Sequence, residues 1–218
     1  MLQVDGICVT IKGFSILRGI SLEIPAGGLM ALVGRNGSGK TTTLKSIMGL
    51  LPIASGVIQL DGTDLVHVPG HRRALLGIGY MPEDRRLIGP LTVEDNIRMP
   101  AWASGLAHSA QRLAYIYEHM PEVAALAQRR ASALSGGQQK MVALARAVMS
   151  GTKLLLLDEP FEGLSPAMGE KLAGTIQALQ QGDLAVLIAE SDVRRLHFAE
   201  KVYTIERGAI VQQAQRET

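Results

Sequence analysis

Between the apolar run Leu29-Met30-Ala31-Leu32-Val33 and a helical stretch from Thr41 to Leu50 lies Gly34-Arg35-Asn36-Gly37-Ser38-Gly39-Lys40-Thr41-Thr42. This is the pattern G-x-x-x-x-G-K-[ST] in a strand-to-helix setting, and it constrains the chain more than any other stretch. Glycines let the backbone curl inward and aim successive N–H groups at a phosphate chain, while the helix behind adds its positive end. Such a loop predicts Lys40 reaching the outer phosphates, Thr41 ligating a Mg²⁺ ion that bridges them, and Thr42 touching the inner phosphates. A dinucleotide fingerprint is excluded, because Lys40-Thr41-Thr42 stands where its third glycine should fall.

The 218 residues suffice for one large domain, or one core carrying an insertion. Hydrophobic residues make up 47% against 19% charged, yet no apolar run approaches the ~18 residues of a membrane helix. The N-terminus Met1-Leu2-Gln3-Val4-Asp5-Gly6 carries no basic segment leading into an apolar stretch, so the expected compartment is the cytoplasm. Cys8, the single cysteine, sits between Ile7 and Val9 and reads as a small core residue. A net charge of +2, with the Arg72-Arg73, Arg85-Arg86, Arg129-Arg130 and Arg194-Arg195 pairs scattered, gives no expectation of a nucleic-acid partner.

In chain order, Leu2 to Ile11 and Ile20 to Ile24 read as strands before the loop, and Val57 to Leu60 as another after its helix. Pro69-Gly70 opens a short basic helix, and Gly77 to Met81 is strand-like. From Met81 to about Gly151 the pattern turns helical, with stretches near Thr92–Met99, Ser109–His119, Pro121–Arg129 and Gln138–Met149. Alternation then returns with strand Lys153–Leu157, helix Pro166–Gln181, strand Leu184–Ala189, a short helix from Asp192, and strands Lys201–Ile205 and Ala209–Gln213. This is a mostly parallel α/β pattern interrupted by helices.

Two more stretches carry chemistry. Leu154-Leu155-Leu156-Leu157-Asp158-Glu159 is an apolar strand ending in two acids, at the end of a strand where open α/β sheets bind ligands. Asp158 there would hold Mg²⁺ through water, and Glu159 would polarise an attacking water as general base. Leu134-Ser135-Gly136-Gly137-Gln138 opens the helix Gln138–Met149 and reads equally as a second anion site or as an ordinary serine cap.

Together, in this order, the three motifs make nearly the whole chain resemble an ABC-type ATPase subunit. Gly34–Thr42 stands as its Walker A, Leu134–Gln138 as its signature and Leu154–Glu159 as its Walker B. The resemblance implies an α/β P-loop NTPase of ABC type: a mostly parallel sheet core with an antiparallel β subdomain, about 1–82 and 152–218, and an inserted helical subdomain, about 83–151. It implies ATP and Mg²⁺ as cofactors and a head-to-tail pair of ATPase subunits, homo- or heterodimeric. Each ATP then lies between one subunit's Walker motifs and the other's signature, so Ser135, Gly136, Gly137 and Gln138 serve the partner's nucleotide.

Finer spelling is similar to the ATP-binding subunits of branched-chain amino acid and urea-type importers. Met81-Pro82-Glu83-Asp84-Arg85-Arg86 resembles that group's Pro-Glu-x-Arg-Arg, and Gly163-Leu164-Ser165-Pro166 its Gly-Leu-Ala-Pro; Ala189-Glu190-Ser191 stands where Val-Glu-Gln or Val-Glu-His is usual. The chain departs from the wider family at Glu83, where glutamine normally meets Mg²⁺ and the attacking water, and at Ser191, where histidine normally senses the γ-phosphate. Both are carried as catalytic candidates, Glu83 also as a metal ligand. Adenine is expected on an aromatic face, Phe14, or with another gap placement on Ile11.

The implied activity is ATP hydrolysis that energises import of branched-chain or other amino acids, or a related small polar solute. Permease subunits and, indirectly, a solute-binding protein are the implied partners, with the chain peripheral at the cytoplasmic face of the inner membrane. The segment Glu83 to Trp102 is expected to dock the permease. The competing expectation is a non-transport or weakly hydrolytic ATP-dependent dimerisation module.

Overall fold

The structure, a computed structural model, describes residues 1–180 and 182–215; Gln181, the last residue of the expected helix Pro166–Gln181, lies outside them. Among these residues ten strands form two sheets. The larger has the order β10-β9-β3-β8-β7-β6, with β3 Leu29–Val33, β6 Ile78–Met81, β7 Leu154–Asp158, β8 Ala185–Glu190 and β9 Lys201–Glu206 parallel and β10 Ala209–Gln215 antiparallel at the edge.

The apolar strands are explained by what covers the two faces of this sheet. Leu155, Leu157, Val186 and Ile188 enter one core with the helices, whereas Leu154, Leu156, Leu187 and Ala189 enter a second core with the smaller sheet. A strand buried on both faces has no place for a polar residue until its end. Asp158 and Glu190 are those ends.

The smaller sheet, β2-β1-β4-β5, is antiparallel and comprises β1 Leu2–Ile11, β2 Phe14–Ile24, β4 Ser55–Leu60 and β5 Thr63–Asp64. β2 begins six residues earlier than the expected Ile20. Lys12 and Gly13, at φ 48° and 83°, form a tight two-residue reversal that pairs Ile11 with Phe14 and carries the strand from there.

Helices α1 Lys40–Ile47, α2 Gly70–Leu75, α3 Val93–Ser104, α4 Ser109–His119, α5 Pro121–Ala124, α6 Gly136–Ser150 and α7 Pro166–Leu179 complete the chain. The expected helix Pro121–Arg129 stops at Ala124 because the following backbone is used elsewhere. Carbonyls of Ala127 and Arg129 accept from Glu94 N at 3.0 Å and Val93 N at 2.9 Å, satisfying amides that the first turn of α3 cannot. Helix α3 passes through Pro100, beyond the expected Met99, and ends at Gly105 with φ 63°.

Candidate functional site

The loop between β3 and α1 is built by close approaches that only glycine permits. A Cβ on Gly34 would lie 2.3 Å from the Ile205 carbonyl oxygen, and Gly39, at φ 114°, would drive one to 2.7 Å from Leu17. The loop borders a cleft of about 600 Å³ whose lining includes Phe14, Asn36, Lys40, Thr42, Glu83 and Glu159. Gly37, Gly39 and Thr41 line it too. The loop, Glu159 after the apolar strand and Glu83, far apart in sequence, therefore face one space, with Asp158 buried beneath it against Thr41. Phe14 is 73% exposed, so it is not a core residue; Ile11 borders the same cleft.

Lys40 is buried, and its Nζ donates to Gly34 O at 2.7 Å while pairing with Glu159 Oε1 at 2.9 Å. Thr41 Oγ1 donates to Asp158 Oδ1 at 2.9 Å, and Tyr80 OH to Asp158 Oδ2 at 3.2 Å. Burial raises the Asp158 carboxyl above its ordinary value, against the hydrogen bonds from Thr41 and Tyr80. A hydroxyl and a carboxylate already in contact, with the Glu83 carboxylate on the same cleft, make an all-oxygen donor set. That set fits Mg²⁺, which takes few protein oxygens and fills the rest of its octahedron with water and phosphate.

Glu159 stands in the left-handed region at φ 47°, a conformation that costs a non-glycine residue roughly 1–2 kcal/mol. It is held there from several sides. Its N–H donates to Ala189 O at 2.9 Å, and its carboxylate accepts from Ser191 Oγ at 2.7 Å and Ser191 N at 3.2 Å. Burial pushes this carboxyl up, but hydrogen bonds from Ser191 and Glu190 and the Lys40 ammonium outweigh it and hold it below its ordinary value. Glu159 is thus ionised at neutral pH, as a proton acceptor must be. Ser191 Oγ also lies 3.1 Å from Asn36 Oδ1, so the serine bridges the loop and the acid.

Sequence reasoning gave Glu190 no role. It is 2% exposed, accepts from Phe161 N at 2.8 Å and shares the Ser191 amide with Glu159. Burial and the hydrogen bond with Glu159 push its carboxyl up to about 8, so at neutral pH one proton sits on Glu190 and the charge on Glu159. The signal was available: Glu190 ends an apolar strand just as Asp158 does.

Ser135, Gly137 and Gln138 lie apart from the Lys40 cleft, bordering another of about 500 Å³ with Met141, Leu164 and Met168. Within this chain the serine is a helix cap: its Oγ accepts from Gln138 N at 3.3 Å, and Gln138 Oε1 accepts from Ser135 N at 3.0 Å. The first amides of α6, those of Gly136 and Gly137 among them, lack intrahelical acceptors and give that end its positive character. The cap itself uses the Gln138 amide and not those two. Among the described residues no cluster of three or more His, Cys, Asp or Glu side chains is grouped to hold a metal.

Residues 17–162 match the ABC transporter family. The chain is 34% identical to the high-affinity branched-chain amino acid transport ATP-binding protein BraG of Pseudomonas aeruginosa, over 97% of this chain and 91% of that one. It is 34% identical to the lipopolysaccharide export system ATP-binding protein LptB of Escherichia coli, over 92% and 84%. The fold superimposes on the ADP conformation of MJ1267, an ATP-binding cassette of an ABC transporter, with a TM-score of 0.88 at 24% identity, covering 100% of this chain and 91% of that one. The chain belongs to the ABC transporter family and is an ATP-binding ATPase of that family.

Proposed function

We propose that this chain is the ATP-hydrolysing subunit of an importer for branched-chain or other amino acids, or a related small polar solute. The observation that carries this reading is the 34% identity to BraG across 97% of the chain. No helix among the described residues is long and apolar enough to cross a membrane, so in this reading permease subunits supply the pathway, a solute-binding protein delivers cargo, and the chain works at the cytoplasmic face of the inner membrane. Docking falls to the segment from Glu83 to Trp102, where Ile88 and Trp102 are exposed and Leu87, Leu91 and Met99 half-buried.

In the reaction, Lys40 and the loop amides from Gly34 to Thr42 hold the phosphates, and Phe14 stacks on adenine. Mg²⁺, carried by Thr41, Asp158 and Glu83, offsets phosphate charge when bound. Glu159 takes the proton of the attacking water, oriented by Ser191, which itself leans on Asn36. Lys40 neutralises charge developing on the phosphoryl oxygens. A second ATPase subunit, a copy of this chain or a different one, completes the site with its own Ser135 to Gln138 equivalents. The helical part, about 83–151, moves as the unit that carries the signature toward the partner.

Two measurements test this. Capture of the chain with its membrane partners should return a permease, and cells carrying Glu159→Gln should lose uptake of an amino acid or similar solute. Recovery with export components, and amino-acid uptake unchanged, would replace the importer by an exporter, the role that LptB's name gives that relative.

A further inference from the structure

One cation in the helical part does not belong where it lies. Lys140, on α6 just after the Ser135–Gln138 cap, is 3% exposed, on a helix whose other buried residues, Met141, Leu144 and Val148 among them, are nearly all apolar. Burying an ammonium among apolar side chains is expensive unless a partner compensates. Burial does pull Lys140 below its ordinary range, opposed chiefly by the Glu162 carboxylate. A methionine would fill the same volume without that cost.

What the ammonium does is donate to Glu159 O at 2.6 Å. That carbonyl belongs to the residue held at φ 47°, and the next residue is Pro160, which has no N–H to offer. The backbone of Glu159 is therefore pinned on one side by its own N–H to Ala189 O and on the other by Lys140. The same helix also fastens the loop of Glu83: Gln139 Oε1 accepts from Arg85 at 2.8 Å, and Arg146 donates to the Arg85 and Arg86 carbonyls.

We propose that Lys140 is a positioning residue for the general base: through the Glu159 carbonyl it fixes where the Glu159 carboxylate stands, and ties that place to the helix that begins at Ser135–Gln138. The proposal rests on Glu159 being the base. Lys140→Met keeps the stem and removes the donor; Lys140→Arg keeps a donor.

In the full chain, Lys140→Met should lower kcat about 10- to 100-fold, as expected when a reacting group is misplaced by about an ångström, with ATP affinity within about two-fold of wild type. Lys140→Arg should restore most of the loss. In a Glu159→Gln background, adding Lys140→Met should change the residual rate by less than about two-fold, an outcome that a merely stabilising residue would not give. Should Lys140→Met fail to accumulate folded, Lys140→Leu, which also lacks a donor, is read in the same way.

If Glu159→Gln nearly stops turnover while Lys140→Met leaves kcat within about two-fold of wild type, the proposal fails and the reading of Glu159 stands. A loss from Lys140→Met that persists in full beside Glu159→Gln also overturns it. Turnover by Glu159→Gln near the wild-type rate would overturn both.

Discussion

The clefts at Lys40 and at Ser135 are both glycine-lined helix N-termini, yet they are furnished differently. Around Lys40 the charges are matched within the chain: the ammonium on Glu159, Thr41 and Tyr80 on Asp158, Ser191 across Asn36 and Glu159. Around Ser135 the side chains cap their own helix, and the neighbours that line the cleft include Met141, Leu164 and Met168. The first cleft holds an acid able to accept a proton; the second offers backbone donors and a helix dipole. A site that makes bonds needs titratable groups with opposed environments, whereas one that steadies an anion needs only oriented amides.

The largest expected break in this contrast comes from Lys40→Ala. Removing a charge-assisted contact to phosphate should weaken ATP binding by about 100-fold and abolish turnover. Equilibrium binding of a fluorescent ATP analogue checks it, and unchanged affinity would remove Lys40 from the phosphate role. Next is Ser135→Arg, which unhooks the cap and places a cation at the positive end of α6. Turnover of the assembled complex should fall about 10-fold or more, while ATP affinity of the single chain stays within about two-fold. A matching loss of affinity in the single chain would merge the two clefts into one site.

Much of the first cleft was legible in the sequence because its chemistry is spelled in short, contiguous runs. The loop from Gly34 to Thr42 and the acids after Leu154–Leu157 needed only their strand settings to be placed against each other. What escaped depends on distant packing. Lys140 joins Glu159 only once α6 lies beside the end of β7, and Glu190 meets Glu159 only because β8 pairs with β7 in parallel register, Asp158 opposite Ala189. Pro121–Arg129 was misread past Ala124 for the same reason: its carbonyls are taken by α3. The early start of β2 turned on the Lys12-Gly13 reversal, which no strand alternation announces.

A subtler lever is the proton on Glu190. Its folded-state value near 8 lies above the ordinary 4.5, so the folded chain binds that proton more tightly than the unfolded one does. The associated stability is full below about pH 4.5 and is lost as pH rises through about 8. Glu159 and Lys140 are charged groups that act on it. Glu190→Gln, a neutral mimic of the protonated acid, should flatten this slope, which reaches at most about 1.4 kcal/mol per pH unit. Denaturant titrations of both chains between about pH 5 and 9 measure it, and parallel curves would contradict the proton's placement.

Smallest is Ser191→Ala. It removes one hydroxyl from Glu159 and the link to Asn36, while the Ser191 amide contact remains. A loss of one such hydrogen bond predicts a fall in kcat of about three-fold with little change in ATP affinity. A loss approaching that of Glu159→Gln would make Ser191 a principal actor rather than a support.

Lys40 and Glu159 divide the labour of binding and turnover, and paired measurements of ATP binding and turnover on Glu159→Gln, in Mg²⁺, test that division. Binding should stay within about two-fold of wild type while turnover falls by about 100-fold or more, because an amide keeps the shape of the carboxylate but accepts no proton. Turnover near the wild-type rate, or binding lost together with turnover, would contradict it.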